Sequence, residues 1–250
     1  MITRILSSAV LPVFLLFIVS HGQPPSATAG TTYVIVHGAW GGSWAFRKVD
    51  SLLTARGHLV YRPSLTGLGE RVHLASRDVG LETHVMDVVN TLVFEELHDV
   101  VLVGHSYGGV VISGVADRVP DRIRHLVYLD ALVPEDGESM MTMFDGARFE
   151  PMIKDGFIVP PWVKPEQPIP KDVPHPLKTF TDPIRLNNER ARKLPATYIL
   201  TVEAGAKEDQ FSRFAARAKA RGWKVLTMEA DHNPQWSAPE ALAKLLAAIQ

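Results

Sequence analysis

One serine stands at a tight turn between two apolar segments, in the stretch VVLVGHSYGGVVISGVA from Val100 to Ala116. The four apolar residues before Gly104 are typical of a buried strand, and the apolar run after Gly108 is typical of a helix. The pattern G-x-S-x-G in this context predicts a sharp strand-to-helix turn that presents the Ser106 hydroxyl at the positive end of the helix. A glycine-rich turn that serves only helix–strand packing is the alternative. The stretch therefore predicts a serine nucleophile.

Short β-rich apolar segments alternate with helical patterns from Thr31 onward. This alternation predicts one α/β domain over residues 30–250, with a mostly parallel sheet of about six strands flanked by helices. The predicted strands are Tyr33–Val36, Leu59–Tyr61, Val100–Val103, Leu126–Leu129, Tyr198–Val202 and Lys224–Met228. The predicted helices lie near Ser43–Arg56, Leu81–Leu97, Tyr107–Arg118, Asp209–Arg221 and Pro239–Ile249.

An irregular segment interrupts the alternation at about residues 134–195. It carries 11 of the 18 prolines and also Met140, Met141, Met143 and Met152. Long insertions inside a compact domain are usually functional, so we expect a cap beside the site, inserted after the strand that ends at Asp130. A disordered linker is the alternative. The apolar side chains of the segment argue against it, because they would remain in water: Phe144, Phe149, Phe157 and Trp162.

A serine hydroxyl needs a base to become a good nucleophile, and the chain offers ten histidines. His232 follows the last predicted strand, in the loop before the final helix. This places it at the same edge of the sheet as Ser106 and after it in the chain, the order in which a base follows a nucleophile in such a fold. His105 lies inside the serine turn and is expected to point elsewhere. We therefore predict His232 as the base; a loop histidine with a purely structural role is the alternative.

The oxyanion of the reaction needs backbone N–H donors. Tyr107 follows the serine at the start of its helix. Ala39 lies after the first predicted strand, in HGAWGGSW, where Gly38 lets the backbone come close. The N–H groups of Ala39 and Tyr107 are the predicted donors. His37 is expected to brace this loop more than to act as an acid or base.

Five motifs in order carry a family resemblance: HGAWGGSW, LTGLGER, GHSYGG, LVYLDALVPEDG and ADHNPQWSAPE. They resemble the α/β-hydrolase fold, and within it the branch of plant methylesterases, hydroxynitrile lyases and bacterial esterases. The resemblance implies Ser106 and His232 as nucleophile and base, with the amides of Ala39 and Tyr107 as the oxyanion hole. Contacts with the substrate are expected from residues beside these groups: Gly38, Trp40, His105 and Asn233.

The same resemblance separates two chemistries. Hydroxynitrile lyases of this branch have a threonine where this chain has Gly38 and a lysine where it has Asn233. Because both features are absent, the resemblance favours ester hydrolysis over lyase activity.

The sequence offers more than one acid to orient the base. In the plant enzymes it aligns near Ala204, and an alanine cannot orient an imidazole. Asp130 is the first choice, since some α/β-hydrolases carry the acid after the preceding strand. Glu203 is the second choice, and Asp209 or no acid remains. An aspartate at the end of a strand also often does no more than close a turn.

Composition excludes several classes of function. The formal net charge is −1 and no run of Lys or Arg occurs, so the basic footprint of a nucleic-acid-binding protein is missing. The chain has no cysteine, which excludes disulfides, thiolate metal sites and a cysteine nucleophile. No cluster of His, Asp and Glu resembles a ligand set, and neither a metal nor an organic cofactor is predicted.

The N-terminal residues 1–29 follow the three-part pattern of a secretory signal peptide. Arg4 precedes an apolar run from Ile5 to Val19, and Ala27-Thr28-Ala29 fits a cleavage site. We expect a secreted or periplasmic protein without stable membrane association after cleavage. An uncleaved anchor and a misassigned start codon are the alternatives.

The expected protein is a serine carboxylesterase that forms an acyl-enzyme with small carboxylic esters. The Met and aromatic residues of the cap suggest an apolar or aromatic substrate, although they would equally suit the core of the cap. The alternatives are a lactonase with the same residues, a hydroxynitrile lyase and a non-catalytic ligand-binding protein on the same scaffold.

Overall fold

The structure, a computed structural model, describes residues 30–206 and 210–249. The predicted signal peptide and Asp209 lie outside these residues. The first half of the domain contains β1 (Thr32–Val36), α1 (Arg47–Thr54), β2 (Leu59–Tyr61), α2 (Leu81–Phe94), β3 (Val100–His105), α3 (Gly108–Arg118) and β4 (Ile123–Leu129). Short 3₁₀ turns at Ser43–Phe46, Gly69–Leu74 and Pro120–Arg122 join them.

The segment after β4 contains only short elements: α4 (Met140–Met143), β5 (Ile153–Lys154), β6 (Phe157–Ile158), β7 (His175–Pro176), α5 (Lys178–Thr181) and α6 (Glu189–Arg192), with 3₁₀ turns at Gly146–Arg148 and Glu150–Met152. The three strands form a small antiparallel sheet in the order β5-β6-β7. The chain then returns to the main domain through β8 (Ala196–Val202), α7 (Ser212–Ala220), β9 (Lys224–Glu229), α8 (Pro234–Ser237) and α9 (Pro239–Ala247).

The main sheet has six strands in the order β2-β1-β3-β4-β8-β9, and every neighbouring pair is parallel. This confirms the predicted sheet. The observed β4 begins at Ile123, three residues before the predicted start. The predicted helix Leu81–Leu97 ends earlier, at Phe94, and the chain turns at Glu96, whose φ is 51°.

Two apolar cores cover the two faces of the sheet. Along β1, Val34 and Val36 belong to one core, whereas Tyr33 and Ile35 belong to the other. This alternation follows from the pleat, which points successive side chains to opposite faces. Helix α2 buries residues at helical spacing against the first core: Leu81, His84, Val85, Val88, Val89 and Leu92.

The strand order reverses direction at β1, because β2 lies on one side of it and β3 on the other. The loops that leave β1 and β3 therefore diverge and open a crevice at the carboxyl ends of the strands. Open parallel sheets bind their ligands at such a point. Within residues 30–206 and 210–249, no helix combines the length and the apolar character needed to cross a bilayer.

Candidate active site

The turn between β3 and α3 holds Ser106 in a left-handed conformation, with φ of 53°. Strain of this kind persists only where the surroundings enforce it. A Cβ atom added to Gly104 would lie 2.6 Å from the carbonyl oxygen of Gly108, and one added to Gly108 would lie 2.6 Å from that of Val36. Both glycines are thus required for the close packing that bends the chain and presents the Ser106 hydroxyl.

A Gly108→Ala substitution is expected to destabilise the fold by about 1–3 kcal/mol, because the new methyl group meets rigid backbone of β1. The free energy of unfolding from urea titration measures this loss. Gly41→Ala is the matched control, since a Cβ there would meet its nearest atom at an ordinary 3.8 Å. Equal unfolding midpoints for the two variants would contradict the packing argument.

A chain of hydrogen bonds connects three side chains at this edge of the sheet. His232 Nε2 lies 3.0 Å from the Oγ of Ser106, and His232 Nδ1 lies 2.6 Å from Oδ2 of Asp130. A carboxylate accepts hydrogen bonds only, so Nδ1 carries the ring proton and donates it to Asp130. The lone pair of Nε2 therefore faces the serine hydroxyl, which is the arrangement a general base requires.

Asp130 follows β4 directly and is completely buried. Its backbone N–H donates to the carbonyl of Ile199 at 2.7 Å, and its Oδ1 accepts the N–H of Thr201 at 3.1 Å. Both partners lie on β8, the neighbouring strand, and they hold the carboxylate at the edge of the sheet. Of the two acids favoured by the sequence, the structure brings Asp130 against His232. Glu203 lies exposed in the loop after β8.

The two predicted oxyanion donors are free to bind a ligand. Among the described residues, no acceptor takes the N–H of Ala39 or of Tyr107. His37 fixes the loop: its Nε2 accepts the N–H of Leu65 at 3.1 Å, so its Nδ1 carries the proton and donates to the carbonyl of Gly38 at 2.8 Å. Because the C=O and N–H of one trans peptide point in opposite directions, this bond turns the Ala39 N–H away from His37.

His232 is held by two further rings that the sequence did not indicate. His105 Nε2 donates to the carbonyl oxygen of His232 at 2.8 Å. The ring of Phe211 stacks on the imidazole of His232, with 4.6 Å between the centroids and 12° between the planes. One contact fixes the loop and the other fixes the ring plane. The position of His105 directly before the serine places it near the site, but no pattern in the sequence predicts that it holds the loop of His232.

Ser106 opens into a pocket of about 180 Å³. All the residues predicted to touch a substrate line it: Gly38, Trp40, His105 and Asn233. Trp162, one of the aromatic residues expected beside the site, also lines it. Three further lining residues were not expected there: Asp172, Gln235 and Trp236. None of the four methionines after β4 lines the pocket, and Met140 and Met143 are buried in the core that covers one face of the sheet. They therefore pack in the core and not against the pocket.

A larger cavity of about 470 Å³ lies elsewhere, between α3, α6 and the start of β9. Its lining contains Ser113 but no histidine. The Ser113 hydroxyl donates to the carbonyl of Gly109 at 2.8 Å, in the manner of a helix-bound serine. No activated nucleophile faces this cavity among the described residues, and the candidate active site is therefore the smaller pocket at Ser106.

Four buried histidines surround this edge of the sheet. Burial lowers the pKa of His37 and of His84 to about 4 and the pKa of His105 to about 3. Burial also lowers the pKa of His175 well below its usual value. These rings are neutral at pH 7 and serve as fixed hydrogen-bonding groups. His84 Nδ1 accepts the hydroxyl of Tyr107 at 3.0 Å, and His175 Nδ1 accepts the N–H of Trp40 at 3.1 Å.

These histidines predict a steep acid dependence of stability. In the unfolded chain each ring binds a proton near pH 6.5, whereas the folded protein keeps it neutral down to about pH 4 for His37 and His84. Over that interval the unfolded state holds more protons, so stability falls as the pH falls, by up to about 1.4 kcal/mol per ring and pH unit. Urea titrations at pH 7.5, 6.5 and 5.5 measure the slope.

A His84→Gln variant tests this assignment, because it removes one of the buried rings and is expected to lower the slope by the uptake of about one proton. Equal stability at pH 7.5 and pH 5.5 would show that the rings are not kept neutral in the folded state.

Comparison with known proteins places the chain among hydrolases. A model of the alpha/beta hydrolase family matches residues 33–245. The carbendazim hydrolyzing esterase of Nocardioides sp. (strain SG-4G) is 38% identical over 241 residues, which cover 87% of this chain and 98% of that protein. The pFDCC methylesterase MES16 of Arabidopsis thaliana is 28% identical, and the match covers 87% of this chain and 94% of that protein. An extracellular alpha/beta-hydrolase from a Paenibacillus species has a similar fold, with a TM-score of 0.74 and 24% identity. That match covers 86% of this chain and 97% of the Paenibacillus chain.

Proposed function

The chain belongs to the α/β-hydrolase family as a carboxylic ester hydrolase, and from this premise we propose that it works through Ser106, by way of an acyl-enzyme. The proposed nucleophile is the Oγ of Ser106, the base is His232, and the acid that orients the base is Asp130. The single observation that carries the proposal is the position of His232. Its Nε2 lies 3.0 Å from the serine Oγ, while its Nδ1 lies 2.6 Å from a fully buried carboxylate.

The proposed reaction has two halves. In the first, Ser106 Oγ attacks the ester carbonyl while its proton passes to His232 Nε2, and the same proton then leaves with the alcohol. In the second, a water molecule gives its proton to His232 and attacks the acyl carbonyl. The bond from Ser106 Oγ to the acyl group then breaks, His232 returns the proton to the serine oxygen, and the acid leaves. Asp130 remains ionised throughout and stabilises the imidazolium. The N–H groups of Ala39 and Tyr107 stabilise the oxyanion of each tetrahedral intermediate.

Covalent trapping tests this mechanism. A fluorophosphonate is expected to block hydrolysis of p-nitrophenyl butyrate and to add its phosphonyl group to the tryptic peptide that contains Ser106, as found by mass spectrometry. The Ser113→Ala variant should react as the parent does, because the hydroxyl that this substitution removes faces a different cavity. Hydrolysis that continues undiminished in the presence of the reagent, or a label on another residue, would refute the serine mechanism.

Small esters with an aromatic group are the proposed substrates. The pocket holds about 180 Å³, and three tryptophans line it: Trp40, Trp162 and Trp236. Flat apolar walls of this kind favour flat apolar ligands. A panel of p-nitrophenyl esters, methyl esters of aromatic acids and lactones tests this preference. Faster hydrolysis of lactones than of every open ester would favour the lactonase instead.

We further propose that the enzyme is exported with residues 1–29 as a cleaved signal peptide. The support is the sequence pattern alone, since these residues lie outside the described part of the chain. N-terminal sequencing of protein recovered from outside the cytoplasm of an expressing bacterium should begin at Gly30. A mature protein that retains Met1, or that stays in the cytoplasm, would contradict the proposal.

A further inference from the structure

Trp40 has an unusual backbone conformation directly beside one of the proposed oxyanion donors. Its φ is 63°, in the left-handed region that a bulky side chain rarely adopts. It follows Ala39, and the peptide group on the other side of Ala39 is already fixed, because His37 binds the carbonyl of Gly38. Strain of this kind persists only where surrounding contacts enforce it. The contacts that hold Trp40 therefore also fix the loop that carries the Ala39 N–H.

Three hydrogen bonds from the segment after β4 hold Trp40. The N–H of Trp40 donates to Nδ1 of His175 at 3.1 Å, and its carbonyl accepts the N–H of Val173 at 2.9 Å. The indole N–H donates to the carbonyl of Ile158 at 3.1 Å. His175 and Ile158 are direct partners in the small antiparallel sheet, where β7 pairs with β6. This sheet thus binds both the main chain and the side chain of Trp40.

His175 is completely buried, and only one of its two ring nitrogens is satisfied. Nδ1 accepts the N–H of Trp40, and burial lowers the pKa of the ring well below its usual value, so the ring is neutral and Nε2 carries its proton. Among the described residues, no acceptor takes this proton. A buried N–H without an acceptor lowers the stability of a fold. The hydrogen bond that His175 accepts therefore explains the ring better than a contribution to stability does.

His175 also contacts the residue of the second proposed oxyanion donor. Its ring packs edge to face against the ring of Tyr107, with 5.0 Å between the centroids and 80° between the planes. The Tyr107 hydroxyl donates to His84, so two imidazoles fix this side chain. One side chain from the segment after β4 therefore touches both loops that carry the oxyanion donors, at Trp40 beside Ala39 and at Tyr107.

We propose that His175 is a positioning residue for the oxyanion hole, which is complete only when the segment after β4 packs over the crevice. By accepting the N–H of Trp40, His175 keeps Trp40 in its left-handed conformation and so holds the Ala39 N–H in place. The charge on the oxyanion develops only during the reaction, so a displaced donor raises the barrier more than it weakens substrate binding. This inference rests on the proposed function, because it assigns a further residue to the same site.

Removal of the acceptor is the first test. His175→Leu and His175→Phe both lack it and differ in size, and each is expected to lower kcat for p-nitrophenyl butyrate by about 10- to 100-fold, with KM within about threefold of the parent. His175→Asn keeps an acceptor oxygen near the position of Nδ1 and is expected to restore kcat to within about threefold of the parent. Urea titration verifies that each variant is folded. Parental kcat in a folded apolar variant, or an equal loss in His175→Asn, would overturn the inference.

His125→Leu is the matched control. His125 is a partly buried histidine near the amino end of β4, and its Nε2 forms a hydrogen bond with the Thr197 hydroxyl at 2.9 Å. The substitution therefore removes one imidazole hydrogen bond at the edge of the sheet opposite Ser106, and kcat is expected to stay within about twofold of the parent. A loss as large as that of His175→Leu would show a general effect of removing a histidine and would overturn the inference.

An inhibitor that imitates the oxyanion tests the positioning directly. The Oγ of Ser106 adds to the carbonyl carbon of an aryl trifluoromethyl ketone, the serine proton passes to His232, and the ketone oxygen becomes an anion that the oxyanion donors bind. In His175→Leu, the Ki of this ketone is expected to rise by the factor by which kcat/KM falls. A Ki equal to that of the parent would mean that the oxyanion donors have not moved, and the inference would be wrong.

Hydrogen exchange of one amide separates this inference from the proposed function. Isotope labels on the Ala carbonyl carbons and the Trp amide nitrogens select a single NMR signal, because Ala-Trp occurs only at Ala39-Trp40. In His175→Leu without substrate, the Trp40 N–H is expected to exchange at least about tenfold faster than in the parent. If Ser106→Ala stays active while this exchange accelerates, the proposed function is wrong and the positioning of the loop stands. Unchanged exchange overturns the inference whatever the turnover.

Discussion

A Ser106→Ala variant is expected to lose about 10⁴- to 10⁶-fold in kcat for p-nitrophenyl butyrate. The reason is that the substitution removes the atom proposed to form the acyl-enzyme, while the proposed oxyanion donors and the pocket remain. Within the described part of the chain, the Oγ of Ser106 has one hydrogen bond, to His232, so the fold should lose little with it. Steady-state kinetics measure the first effect and urea titration the second.

The control for this variant is a buried serine in the same part of the chain. Ser113→Ala removes a hydroxyl that bonds to Gly109 and Tyr128, and kcat is expected to stay within about threefold of the parent. If Ser106→Ala kept a tenth of the activity, the serine mechanism would be wrong, and the site would then be better described as a ligand-binding pocket.

Asp130→Asn is expected to lower kcat by about 10⁴-fold with little change in KM. Oδ1 of the residue accepts the N–H of Thr201, so an asparagine keeps its oxygen there and turns its NH₂ towards His232 Nδ1. That group is a donor, and it forces the imidazole proton onto Nε2. His232 then presents N–H instead of a lone pair to Ser106 and cannot accept the serine proton. Kinetics with p-nitrophenyl butyrate over pH 6–9 measure the loss.

Glu203→Gln is the matched control, because it makes the same chemical change in the loop after the neighbouring strand β8. Glu203 is exposed and has no contact with His232 in the structure, so its kcat is expected to stay within about twofold of the parent. A collapse of activity in Glu203→Gln with normal activity in Asp130→Asn would assign the acid to the loop after β8 instead.

Much of this site could be anticipated because its constraints are local. The glycines around Ser106 follow from steric conflict between residues a few positions apart. The turn from Gly104 to Gly108 needs no knowledge of the rest of the fold beyond a strand before it and a helix after it. Likewise, alternating strands and helices predict a parallel sheet, and a parallel sheet brings the loops after β3 and β9 to one edge. The sequence predicts Ser106 and His232 at one edge of the sheet for this reason.

The acid was harder to choose because the decision is non-local. Asp130 and Glu203 follow neighbouring strands, and each stands near the correct edge of the sheet. Two hydrogen bonds with the β8 backbone, one donated to the Ile199 carbonyl and one accepted from the Thr201 N–H, turn the Asp130 carboxylate inward, whereas Glu203 falls on an exposed turn. No pattern within either segment reports these bonds.

The class of fold, the bend at Ser106 and the edge of the sheet at which His232 lies could all be predicted from the sequence, since each depends on periodicity or on sterics between near neighbours. Which carboxylate meets His232, and which side chains enclose the pocket, depends instead on contacts between distant parts of the chain. Trp162 and Asp172 lie in the segment after β4, and Trp236 lies far along the chain in α8. Their meeting depends on how the segment after β4 folds back over the crevice, and short irregular elements carry no periodicity from which that path can be read.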